Sequence, residues 1–197
     1  MTSHAPLRGI LLVLAAVTLF ACMDTAGKYM MTKYNVPLIA AVRYGLNLII
    51  LSGLMMPRHG KALWATKRTM WVVFRGLALC AATLLMGFAL RLMPAGETVA
   101  IIYLQGFGVM IAAGYFLNEK ISAVGWLAAV FGFAGVLLIA RPGNALDPLG
   151  VVLALSCAAV SVVYILLSRI LASTETTMSM LFHVALSGTL VFFVLSA

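Results

Sequence analysis

The chain is 197 residues long, 64% hydrophobic and only 9% charged, with a net charge of +8. A soluble domain carries roughly 25% charged residues, so this composition excludes a wetted globule. Continuous apolar runs of 20 residues exclude a membrane barrel as well, because barrel strands are ~10-residue segments of alternating polarity.

The expectation is therefore an all-α, polytopic membrane helix bundle of about seven transmembrane helices. In chain order the spans are Leu7–Gly27, Val36–Met56, Met70–Leu90, Thr98–Leu117, Ile121–Ala140, Leu149–Ser168 and Met178–Ala197. Each is close to the ~20 residues that cross ~30 Å of hydrocarbon at ~1.5 Å per residue. The first run follows Arg8 and contains Leu19-Phe20-Ala21-Cys22, loosely like a lipoprotein cleavage box. Six further runs re-enter the membrane, so an uncleaved first helix is expected. Asn118-Glu119-Lys120 breaks the fourth run from the fifth, too short a link for anything but a membrane hairpin.

Basic residues set the orientation. With the N-terminus inside, the inner side holds Arg8, Arg58, Lys61, Lys67, Arg68, Lys120 and Arg169, plus Arg75 if it reaches back one turn to the headgroups. The outer side holds Lys28, Lys33, Arg91 and Arg141. Excess Lys and Arg mark the cytoplasmic face, so the N-terminus is expected in the cytoplasm. This placement between spans also explains the positive charge without nucleic acid, which is not expected as a partner; the lipid bilayer is.

Polar residues at lipid depth are the candidates for chemistry. Arg43 lies about seven residues into the second span, and an intramembrane arginine is costly enough to need a reason. It reads either as a counter-charge for an anionic or zwitterionic substrate or as half of a structural ion pair with Asp24. Asn47 is one turn away on the same face. Tyr103 and Gln105 are the polar residues in the middle of the fourth span, serving substrate contact or an interhelical hydrogen bond; Tyr164 is a weaker candidate. Glu97, at the outer mouth of the fourth span, reads as structural or gating. His183 reads as a proton relay or as a core histidine bonded to a neighbouring helix. Gly108/Ala112 and Ala128/Gly132 have the spacing that lets helices approach closely. Cys22, Cys80 and Cys157 are scattered in apolar runs and suggest neither a disulfide framework nor a metal site; no metal or cofactor is expected.

Shifting the first span by 141 residues lays Gly9, Leu12 and Leu14 on Gly150, Leu153 and Leu155, and Lys28 on Arg169. Five spans separate the copies, so the second enters from the opposite face, as in an inverted repeat. Ala89-Leu-Arg-Leu-Met-Pro-Ala-Gly-Glu97, Leu117-Asn118-Glu119-Lys120, Trp126, Gly132-Phe-Ala-Gly135-Val-Leu-Leu-Ile and Arg141-Pro142-Gly143 together resemble the EamA-type repeat of the drug/metabolite transporter superfamily. The resemblance covers residues 8–140 as one five-helix repeat and leaves residues 149–197 as the first two helices of a second, incomplete one.

That resemblance implies a secondary transporter of the bacterial inner membrane, moving a small-molecule metabolite by alternating access between opposed repeats. It also draws attention to Glu119, read as structural or gating. Three departures stand out: Asn118 where the family commonly has Gly, Gly106 where a kinking Pro is common, and an end at Ala197 where members usually continue to ten spans. Either the chain is truncated, a non-transporting fragment or subunit, or it assembles with a second copy, which makes a homodimer one expected assembly. No GxxxxGK[ST] loop occurs, so ATP drive is not encoded. A lipid-modifying membrane enzyme is the remote alternative: His4, His59 and His183 are far apart and the acidic residues are scattered, so the chain is not expected to be an enzyme.

Overall fold

The computed structural model describes residues 5–116, 122–140 and 146–196. Among the described residues there is no strand, and the helices run in the order α1 (Ala5–Lys33), α2 (Val36–His59), α3 (Thr69–Leu92), α4 (Ala95–Ile102), α5 (Gln105–Phe116), α6 (Ala123–Ala140), α7 (Pro148–Leu171) and α8 (Thr177–Ser196). A 3-10 turn, Gly60–Leu63, follows α2 and opens on Gly60, whose φ of 47° lets the chain reverse. Five segments are long and apolar enough to cross a bilayer: Val36–Pro57, Thr69–Leu92, Ala95–Phe116, Pro148–Leu171 and Thr177–Ser196. The protein is a multi-pass helical membrane protein.

The fourth apolar run is not one regular helix. At Tyr103–Leu104 the α-helical bonding gives way to i−3 bonds, Leu104 N–H to Ile101 O at 3.1 Å and Gly106 N–H to Tyr103 O at 3.0 Å. This short 3-10 turn splits the rod into α4 and α5. The break falls beside Gly106 without a proline to cause it. The hairpin break at Asn118-Glu119-Lys120 and the Arg141-Pro142-Gly143 stop lie outside the described residues.

α3 is the central element. It packs along its length on α7 and also on α8, while α2 packs on α8, and α4 and α5 lie against α7. Why α3 takes the centre is visible in its side chains: Gly76, Ala78, Cys80, Ala82, Gly87 and Ala89 are small and buried, and small residues let helices approach closely where lipid offers no hydrophobic drive. The antiparallel α3–α7 pair meets at one end through Val72 and Leu171, with Met180 of α8. Towards the other end Ala82, Ala89 and Met93 meet Ala154 and Cys157. With the end of α3 beside the start of α7, the chain between must cross an even number of times. Between them the chain holds α4–α5, long enough to cross, and the shorter apolar α6.

The small pairs behave differently from each other. A Cβ on Gly108 would sit 2.6 Å from Val162, so this position is an α5–α7 contact. Ala128 and Gly132 are exposed, and among the described residues nothing lies within 4 Å of a Cβ on Gly132, so no close helix approach is seen at that glycine.

Candidate functional site

The buried face of α3 carries one charge. Arg75 lies one turn beyond Val72 on that face and is 5% exposed, so its guanidinium is enclosed by neighbouring helices. Its Nε donates to Ser168 Oγ at 2.6 Å, Nη2 to Tyr164 OH at 2.9 Å and Nη1 to Met180 O at 3.3 Å. The guanidinium carbon also lies 4.6 Å from the centroid of the Tyr164 ring, a cation–π contact. Ser168 and Tyr164 are one turn apart on α7, and Ser168 passes its own proton to Tyr164 O at 2.7 Å. Neutral oxygens and a ring face thus solvate this cation in place of water. Desolvating a charge is expensive unless every donor finds such a partner.

Thr83 lies eight residues further along α3, about 12 Å by helical rise. It gives its hydroxyl proton to Leu79 O at 2.8 Å, so Tyr44 is the donor in the 3.0 Å Tyr44–Thr83 bond. The Tyr44 ring stacks on Phe192 with centroids 5.2 Å apart. It also fills the space over Gly188, where a Cβ would overlap the ring. His183 is buried, and its Nδ1–H donates to Ser179 O at 2.9 Å, in the preceding turn of its own helix. The neighbouring-helix bond read from the sequence is therefore replaced by a local one.

Beyond Arg75, at the membrane surface, Glu175 is 8% exposed in the short α7–α8 connection. Its Oε1 accepts from Lys67 N at 2.9 Å and Arg68 N at 2.7 Å. Ser179 Oγ reaches Ala65 O at 3.4 Å, and Trp64 stands edge-on to Phe182 with centroids 4.8 Å apart. Glu175, Arg75, Tyr164, Ser168, Thr83 and Tyr44 together form a polar seam where α3 meets α7, α8 and α2.

The sequence-predicted residues lie elsewhere. Arg43 and Asn47 are on the exposed face of α2, flanking the buried Tyr44. Tyr103 is 52% exposed at the break, and Gln105, half-buried, opens α5. α2 packs on α8 whereas α4 and α5 pack on α7, so these four residues stand on two helix pairs, not in one cluster. Glu97 rims an apolar crevice of about 70 Å³ between α4 and α6, far below the ~300 Å³ of a metabolite pocket. The side chain of Asp24 and all of Glu119 lie outside the described residues, and the Asp24–Arg43 pairing with them.

Arg75 and Glu175 are the residues the sequence reading passed over. Arg75 sits at nearly the same depth in its run as Arg43, and no local pattern separates a buried arginine from an exposed one. The i, i+4 pair Tyr164/Ser168 on a largely apolar helix was the available signal.

The EamA-like transporter family matches residues 7–141. The chain is similar to the riboflavin transporter of Vibrio cholerae, 24% identical over 142 residues, which covers 71% of this chain and 48% of that protein. It is also similar to S-adenosylmethionine uptake transporters of Rickettsia prowazekii, 26% identical over 181 residues (91% of this chain, 61% of the relative), and Rickettsia felis, 26% over 136 residues (69% and 46%). It therefore spans about half to three-fifths of the length of these relatives. All three carry the names of transporters, none that of an enzyme.

Proposed function

The chain belongs to the EamA-like transporter family, and from that premise we propose that it is a secondary transporter of the drug/metabolite type. It moves a small organic metabolite across the bacterial inner membrane by alternating access, with its N-terminus in the cytoplasm. The observation that carries the reading is the seam around Arg75. Ionisable groups enclosed within a membrane bundle mark substrate and ion pathways, and here a desolvated cation and a row of hydroxyls lie between the central helices. A path for a polar solute needs such groups. The relatives' names point to solutes of cofactor size, riboflavin and S-adenosylmethionine. The test is uptake of each labelled compound by cells over-expressing the chain. Accumulation above the vector control is expected for one of them or for a competitor of its uptake, and uniform absence across such a panel counts against transport by this chain.

A second reading, in which another copy completes the path, is favoured by Arg43 and Asn47. Both are exposed on α2, and polar groups at lipid depth normally face a bundle interior or a watery cavity. Under this reading Asn47→Cys cross-links two copies in membranes treated with a thiol-specific bifunctional reagent. A purely monomeric band excludes it.

A further inference from the structure

Resting on the transport reading, we propose that Glu175 and Arg75 form a two-point latch, and that this end of the bundle opens by parting α3 from α7 and α8. The opposite end stays packed.

The first point is a carboxylate brought from far away to the chain entering α3, where it accepts from the amides of Lys67 and Arg68 just before the helix. Every α-helix begins with about four N–H groups that lack an intrahelical partner, and a side chain at the N-cap normally satisfies one of them. α7 follows that rule: Asp147 accepts from Leu149 N at 2.8 Å and Gly150 N at 3.1 Å. α3 does not. Its N-cap residue, Arg68, makes no side-chain cap bond, and the carboxylate at this helix start belongs to Glu175, 107 residues away in sequence. A cap on its own helix survives any movement of that helix, whereas a tie from a remote carboxylate to the chain entering a helix is lost when the two segments part. The surroundings suit a carboxylate in the closed state, since it sits at the positive end of a helix in a loop carrying Lys67 and Arg68.

Arg75 is the second point. Its three hydrogen bonds all run to α7 and α8, so separation breaks them together. Both ties lie at the same end of the seam. At the other end Ala82, Ala89 and Met93 pack on Ala154 and Cys157, with the Cys157 thiol donating to Ala82 O at 3.3 Å as a weak polar contact. Small apolar contacts tolerate a roll of one helix on another, while hydrogen bonds of fixed geometry are either made or broken. Polar ties also suit a gate that meets water on opening, because water replaces the lost partners.

The test reads exposure of a buried thiol and does not depend on transport. Ser179 is fully buried beside the latch, and Ser179→Cys in a Cys22→Ser background places a reporter there, with Cys80 and Cys157 as internal references. Membranes are treated with N-ethylmaleimide and the modified peptides are resolved by mass. With Glu175→Ala added, the thiol at the reporter position is expected to react about tenfold faster or more, from the loss of two charge-assisted bonds, while Cys157 stays protected. Glu175→Gln, which keeps one acceptor oxygen, gives a smaller rise of the same pattern and carries the test if the alanine variant does not insert. An unchanged reporter rate overturns the latch. So does an equal rise at Cys157, which means general loosening. Failure of uptake with the local rise intact removes the transport reading and leaves the latch; uptake with no local rise does the reverse.

Discussion

The network around Arg75 separates a functional from a structural role when its side chains are replaced together. Replacing a buried charged network by apolar groups of similar volume is often neutral or stabilising, because the desolvation cost disappears with the charge. Arg75→Met combined with Tyr164→Phe and Ser168→Ala, which removes the side-chain network together, is therefore expected to leave the melting temperature in detergent unchanged or raised while uptake falls by about tenfold or more. A parallel loss of both marks the network as scaffolding. Gly188 makes the opposite case. A methyl there overlaps the Tyr44 ring, and overpacking a close contact costs about 1–3 kcal/mol, so Gly188→Ala should lower the melting temperature, with Tyr44→Leu in the same chain restoring part of it. Neither effect was readable in the sequence. Arg43 and Arg75 look alike there, both several residues into oily runs, and only the packing of α7 and α8 onto α3 decides that one is enclosed and the other exposed. Glu175 was equally hidden, because its partners are main-chain amides and carry no residue signature.

Helix positions were far more legible. Apolar length set α2, α3, α6, α7 and α8 to within a few residues, since lipid tolerates no unsatisfied backbone and the helix must run from one headgroup layer to the other. The start of α7 is written in Asp147-Pro148, a cap followed by proline at the first helical position. Asp147→Ala should cost about 1 kcal/mol, read as earlier fraying of residues 148–152 by hydrogen exchange. The division of the fourth run into α4 and α5 was not legible. A proline would have announced it, but Gly106 is compatible with a straight helix, and the i−3 bonds at Tyr103–Gly106 are a choice of the folded bundle. Of the small-residue pairs, Gly108 is a contact among the described residues and Gly132 is not, a difference that spacing alone does not contain.

At the scale of the molecule, the contacts at the two ends of α3 tie the connection after α2 to the one between α7 and α8, and the end of α3 to the start of α7. A reporter fused in the connection after His59 and another after Ala172 must therefore report the same side, and the excess of basic residues predicts the cytoplasm for both. Opposite readings would break the seam described here. Size also has a bearing on the surrounding lipid. α3 and α7 are each 24 residues, about 36 Å long by helical rise, against ~30 Å for an average hydrocarbon layer. A single overlong rod relieves this mismatch by leaning on its own. Two rods interlocked along their length cannot tilt separately, so the pair inclines as one plate and sets the thickness of membrane in which the whole assembly is most comfortable. Reconstitution in bilayers of graded acyl-chain length should then show thermal stability rising towards the thicker ones.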